Sequence, residues 1–407
     1  MRQTLVAAAI VCAGVLAACA TAPLEEPPWL KEARAREAAP QKERAISAKG
    51  AFRGKAAAEI QMAPRRDGEA WVFALDIGTE APIECWAHDA DLDLAASLVG
   101  FSESTFGAIS QHFGEVGLRR IEGVDAGALA GAPFLAVDWL YRVGDGAEAR
   151  IGQVKHLALS KHGHTLYCQH NELGYEVTFR RVVEGLARSL TYEKVPARPY
   201  YEEISVFSVH DMRVGVQHVA LARDKDGDTR IDLRSYTLIP VDESTFQASD
   251  GYDVEFVRPD GSLINQAHVE SVNGELATNL NLDPTDEGWK VHGTFQTKPF
   301  EAQLDAAQPL GSWLGEVLTV RREIAKKGVG GEVVLARWIP DADPTRALDE
   351  RISILEKLAG DRFRTLLRVA EIEAEVVADR SGSAASGAVD LGHIQMRFER
   401  VFAHGKL

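Results

Sequence analysis

The stretch ISVFSVHDMRVGVQHVALAR, residues 204–223, alternates apolar and polar side chains along most of its length, the period of a strand with one buried face. The alternation continues in TRIDLRSYTLI (229–239), DVEFVRPDGSLINQAHVESVNGELATNLNL (253–282) and GWKVHGTFQTKPFEAQLD (288–305). The intervening DKDGD, PDG, NG and TDEG segments carry the residues that tight hairpin turns require. Hairpin following hairpin predicts an antiparallel meander. An interval from Pro309 to Gly331 reads as helical or looping, and EVVLARWIPDADPT (332–345) follows it. A last pair of strands, FRTLLRVAEIEAEVVAD (363–379) and HIQMRFERVF (393–402), is expected to flank a flexible RSGSAASG loop.

Upstream the pattern is mixed. AEIQMA (58–63), EAWVFALDIG (69–78) and APIECWAH (81–88) read as strands, then DLDLAASLVGFSESTFGAISQHFG (91–114) as a helix with a break expected at Gly100. Strands return at VGLRRIEGV, PFLAVDWLYRVG, ARIGQVKHLALS and HTLYCQH, with KHGH as a hairpin turn. In YEVTFRRVVEGLARSL (175–190), Phe179, Val182, Val183, Leu186 and Leu190 share one helical face. Strands, helix, sheet and terminal helix make an α+β layout. The polar, two-proline EKVPARPYYEE segment then divides this region from the meander.

The order of elements over residues 51–195, closing on an amphipathic helix after YCQHNELGYEVTF, resembles the PsbP/DcrB-like α/β sandwich of several envelope lipoproteins. That resemblance implies binding or accessory work. Residues 200–407, through the successive hairpins, the GWKVHGTFQTK strand and the late WIPDADPT connection, resemble the LolA/LolB-like β half-barrel. It implies a curved antiparallel sheet that holds acyl chains or presents a concave face. The segment GSWLGEVL, with Trp313, Leu314, Val317 and Leu318, is expected either to line that face or to be ordinary core.

The first residues place Arg2 ahead of an apolar run from Leu5 to Ala18, the layout of a secretory signal and too short for a membrane span. Leu16, Ala17, Ala18 and Cys19 resemble the bacterial lipobox. The resemblance implies removal of residues 1–18, acylation of Cys19 and, with Ala20 next, sorting to the outer membrane facing the periplasm of a Gram-negative bacterium. Acyl chains are buried at about 0.8 kcal/mol per CH₂ and give stable anchoring when two or more are attached. Residues 19–50, rich in proline, alanine and alternating charge, are expected to form a flexible spacer, with a short helix near WLKEARAREAA and Trp29 at the lipid interface.

Sixty acidic residues against 45 basic ones give a formal charge of −15, which excludes a nucleic-acid role resting on clustered cations. Of four cysteines, Cys12 leaves with the signal and Cys19 carries lipid; Cys85 and Cys168 remain, and an oxidising compartment predicts that they pair.

Asp224, Asp226, Asp228 and Asp232 are spaced as in a calcium loop. Thr229 and Ser235 stand where such a loop needs glycine and a bidentate glutamate, so a solvated turn built on Gly227 is the favoured account. Cys85 with His88 and Cys168 with His170 are weighed as soft-metal ligands, and His156, His162 and His164 as a pH-responsive patch; core and turn residues account for both. No nucleophile elbow, zinc-protease helix or phosphate-cradling glycine loop occurs. The expectation is a noncatalytic outer-membrane lipoprotein, without cofactor or metal, binding a periplasmic protein or an apolar ligand. A membrane-tethered periplasmic hydrolase is the competing expectation, and a structural module of an envelope complex the third.

Overall fold

The computed structural model describes residues 27–144, 149–194, 198–304, 309–390 and 395–407. The segment read as a signal and Cys19, the expected acylation site, lie outside the described residues. Two compact units emerge: residues 27–198 with 238–248, and residues 199–237 with 249–407. Among the described residues no helix is long and apolar enough to cross a membrane.

The first unit begins with α1 (Pro28–Arg34), β1 (Arg44–Ala48), β2 (Phe52–Ala56), β3 (Glu59–Asp67), β4 (Ala70–Asp76) and β5 (Ile83–His88). Then come α2 (Leu94–Phe113), β6 (Val116–Leu129), β7 (Ala132–Val143), β8 (Arg150–Lys161), β9 (His164–Asn171), α3 (Glu176–Ser189) and β10 (Thr191–Tyr192). Seven strands form an antiparallel sheet in the order β3-β4-β5-β9-β8-β7-β6, and β1-β2-β10 form a small second sheet. Alternation along the strands gives each face its own helix. One face, with Phe73, Cys85, Ala136, Leu157 and Cys168, shares a core with Phe179, Val182, Val183 and Leu186 of α3. On the other, α2 stacks Phe101 on Tyr167 at 3.8 Å and sets Phe106 edge-on to Trp139. The helix runs through Gly100 without the expected break. Residues 238–248 belong here too, through the Ile121 N–H to Glu243 carbonyl bond and the Phe246–Trp139 ring contact.

Part of the expected spacer is folded structure. Leu30 and Ala33 of α1 and Ile46 and Ala48 of β1 are buried. Glu37 accepts the Val177 and Thr178 amides at 3.0 and 2.7 Å, occupying orphan donors at the start of α3. Too apolar-poor to fold alone, the segment needs only a few anchors once a surface exists to dock on. Trp29 remains 53% exposed.

The second unit opens with eight strands: β11 (Tyr201–Val209), β12 (Met212–Arg223), β13 (Thr229–Pro240), β14 (Phe246–Val257), β15 (Leu263–Val272), β16 (Glu275–Thr285), β17 (Gly288–Phe295) and β18 (Lys298–Leu304). Helix α4 (Trp313–Lys326) separates them from β19 (Glu332–Trp338), β20 (Ala347–Leu358), β21 (Arg362–Val369), β22 (Ile372–Ala378), β23 (Ala384–Asp390) and β24 (Gln395–Gly405). All fourteen form one sheet, two meanders joined where β24 pairs with β11. The expected last pair of strands is therefore a six-stranded meander. The segment expected to be a loop, RSGSAASG, is a turn followed by β23, whose small side chains fit the register: a Cβ on Gly387 would come 2.3 Å from the Phe398 ring.

Laid flat, fourteen strands at about 4.8 Å spacing would span roughly 60 Å. Yet Leu304 on one edge strand and Trp338 on the other share a core cluster with Trp313, Leu314 and Val317 of α4. The sheet curls around the helix. With four helices among the described residues, the chain is α+β with antiparallel strands predominating.

Candidate functional site

Helix α4 is held on the inner face of the curled sheet by a buried ionic cluster. Ser312 caps it, accepting the Gly315 amide at 2.9 Å and donating to the Gly261 carbonyl at 2.7 Å. The next amide, Trp313 N–H, donates to Glu255 at 2.7 Å. Arg337 on β19 spans Glu255 at 3.3 Å, Glu316 at 2.7 Å and Glu350 at 3.6 Å. Burial drives the Glu255 pKa upward, with Arg337 and the Trp313 amide opposing it. Three carboxylates from β14, α4 and β20 thus converge on one guanidinium, whose fork suits such multiple contacts.

Next to Glu255 on the same face stands Asp253, register partner of His268 on β15. His268 Nδ1 lies 2.9 Å from Asp253 Oδ1, and Nε2 lies 3.0 Å from Asp341 Oδ1, off the direction of a hydrogen bond. Glu270, two residues along β15, faces Gly251 across the ladder and accepts from Ser249 at 3.3 Å. Burial alone would lower the His268 pKa; the Asp341 and Asp253 carboxylates outweigh it and hold it well above its usual value. Burial, then the neighbouring Asp341, raises that of Glu270. Among the described residues, His268, Glu270 and Asp341 are the group whose donor atoms converge closely enough to hold a metal ion, all within 4.8 Å of one another.

The first unit has its own polar row. His170, Lys155 and Asp138 are successive cross-strand partners on the face carrying α3. Lys155 Nζ donates to the Glu172 and Gly174 carbonyls at 2.5 Å each. Burial brings the Lys155 pKa down to about 8 and raises that of Asp138 to about 7, Glu176 adding to the second effect. On the opposite face buried His156 bonds the Tyr167 hydroxyl.

Among the described residues, each unit has a groove open to solvent. One, of about 490 Å³, lies in the second unit on the face opposite α4. Its floor is β23 with Ser386, Gly387 and Ala388, and its walls carry Arg213, Arg364, Arg397, Glu375, Glu399 and Val401. The other, of about 620 Å³, lies beside the β8–β9 turn.

Cys85 and Cys168 face each other across β5 and β9 and are joined as a disulfide. The bond consumes both sulfurs, which removes the soft-metal reading of the Cys–His pairs. Asp224 spends Oδ1 on the Asp226 and Asp228 amides, and Gly227 takes φ +88°, the geometry of a hairpin turn. The three sequence-adjacent histidines do not form a patch: His156 is buried, His162 sits in the turn and His164 stacks on Tyr192 at 3.9 Å. Trp313, Leu314 and Val317 are core. The His268 group was missed because its donors are distant in sequence. The signal was Asp253, Glu255, Gln266, His268 and Glu270 occupying strand positions whose neighbours on that face, Val257 and Leu280, are apolar.

No family model and no curated protein matches the chain. Among solved structures, a β-barrel-like protein of a domain of unknown function, DUF1849, from Brucella abortus aligns with TM-score 0.40 and 12% identity, covering 51% of this chain and 97% of that one. Cyanobacterial PsbP from Synechocystis sp. PCC 6803 gives TM-score 0.25 and 11% identity over 44% of this chain and 98% of that one. A DUF1089 family protein from Pseudomonas aeruginosa gives 0.25 and 13% over 47% and 89%.

Proposed function

We propose that this chain is a lipid-anchored envelope protein that works by binding another protein rather than by catalysis. In this reading the first unit is a PsbP/DcrB-like sandwich and the second a LolA/LolB-like half-barrel. The location rests on the Leu16-Ala17-Ala18-Cys19 sequence. The observation that carries the binding reading is the groove over β23, a trough floored by small side chains and flanked by arginines and glutamates. An extended polypeptide segment bearing both charges suits such a surface. An apolar ligand is disfavoured because α4 fills the inner face of the sheet with Trp313, Leu314 and Val317. Buried Arg337 and its three glutamates support structure rather than turnover, since they bond one another and the helix they hold.

A photo-crosslinking amino acid at position 386 of the full-length chain, irradiated in intact cells, tests the reading. A discrete protein adduct is expected, lost in an Ala388→Trp background whose melting temperature is unchanged. Capture that survives Ala388→Trp overturns the groove, and stoichiometric acyl chains extracted from purified protein would favour the apolar ligand instead. For the location, Cys19→Ser is expected to release the chain from the membrane fraction; retention there contradicts lipid anchoring.

A further inference from the structure

We infer that His268, Glu270 and Asp341 form a binding site for one divalent transition-metal ion, with Zn²⁺ or Mn²⁺ matching an imidazole and two carboxylates. Donor atoms about 2.0–2.2 Å from a tetrahedral ion sit roughly 3.3–3.6 Å apart. His268 Nε2 and Asp341 Oδ1 are already at 3.0 Å, and all three donors lie within 4.8 Å. Small side-chain rotations close the set.

Three further observations point to an ion. His268 is 4% exposed, and its Nε2, 3.0 Å from Asp341 Oδ1 but off the direction of a hydrogen bond, is turned toward the Asp341 and Glu270 carboxylates. Its Nδ1 meets Asp253 at 2.9 Å, the second carboxylate–imidazole contact that fixes a ligand histidine with its Nε2 lone pair toward a metal. The charges are also unbalanced. Among the described residues, Asp253, Glu255, Glu270, Glu316, Asp341 and Glu350 gather on this part of the inner face around one guanidinium, that of Arg337. A dication bound among them offsets that excess. Side chains of Asp253 and Asp341 keep about a fifth of their surface in solvent, 21% and 20%, which gives an ion a way in and leaves water to complete its coordination.

The exchange balances simply. The ion takes the Nε2 lone pair, any proton there leaves to solvent, both carboxylates bind as anions, and Nδ1 keeps its proton and donates it to Asp253. Asp341 belongs to the connection after β19, whereas His268 and Glu270 belong to β15 in the other meander. The ion therefore cross-links the two meanders across the inside of the curl.

The test uses the full-length protein in detergent, stripped with a chelator, exchanged into chelator-free buffer at pH 7 and titrated calorimetrically with ZnCl₂. One equivalent is expected to bind. The melting temperature is expected to rise with the metal. His268→Gln should abolish the binding. Glu270→Gln, at a half-buried position, should weaken it at least about tenfold while melting like wild type in chelator. His292→Ala, at an exposed histidine, should change nothing. Absence of stoichiometric Zn²⁺ binding to the wild-type protein overturns the site, as does a folded Glu270→Gln variant that binds with wild-type affinity.

Discussion

Arg337 and Glu255 lie 3.3 Å apart with both side chains wholly excluded from solvent, one on the edge strand β19 and the other on β14 in the opposite meander. Charges so placed survive only because each has a partner. Their pairing ties the register of the sheet to the position of α4, because Glu255 also takes the first amide of the helix.

Removing the guanidinium takes the shared cation away from three buried carboxylates. Arg337→Met is expected to destabilise the second unit by about 3–5 kcal/mol, the usual cost of breaking a buried ion cluster from one side. Chemical denaturation should show the transition at lower denaturant. Arg337→Lys, a point charge without the fork, should recover only part of the loss.

The seat of α4 also depends on two glycines in contact. A Cβ on Gly261, which holds φ +90°, would lie 2.5 Å from the Gly315 Cα, and one on Gly315 would lie 2.4 Å from the Gly261 carbonyl oxygen. Backbone cannot yield as a flexible side chain does. Gly315→Ala should cost about 1–3 kcal/mol and Gly261→Ala more, the second adding left-handed strain, with thermal melting as the readout.

Cys85 and Cys168 close a loop of 83 residues. Chain-entropy reasoning puts the stabilisation near 4–5 kcal/mol, and measured bonds commonly give about 2–5. The Cys85→Ala, Cys168→Ala double variant should unfold the first unit at distinctly lower denaturant and leave the second unit's transition in place.

Acid should act on the first unit through His156 and His170, whose pKa values burial lowers to about 3, Lys155 adding to it in each case. Between about pH 6.5 and 3 the unfolded chain binds protons that the native one refuses, so stability falls as pH drops. Each histidine contributes a slope of up to about 1.4 kcal/mol per pH unit. Asp138, raised to about 7, works in the other sense: the native state holds its proton between about pH 4 and 7. Asp138→Asn should therefore steepen the acid loss, and His170→Asn should flatten it. Denaturant melts between pH 4.5 and 6.5 decide both.

Period and turn chemistry carried most of the architecture. Alternation in residues 204–305 gives β11 to β18 outright apart from β14's early residues, and the stripe through Phe179, Val182, Val183 and Leu186 gives α3, since half-buried elements write their exposure into the sequence. Where burial or composition blurs that pattern, the elements were lost. Ala347–Leu358 sets Glu350 among its buried positions and leaves Leu355 exposed, and β23 is made of residues that elsewhere mark loops. The His268 group lay further out of reach, since Asp341 arrives from a connection more than seventy residues downstream and only the curl brings it to β15.

The joint between β11 and β24 sets a schedule for assembly. Tyr201 and Gly405 are register partners about 200 positions apart, so β11 has no neighbour on that side until nearly the whole unit has left the ribosome. A bare strand margin is an invitation to mispair, and distant pairings form slowly. That interval is one a holding chaperone could cover.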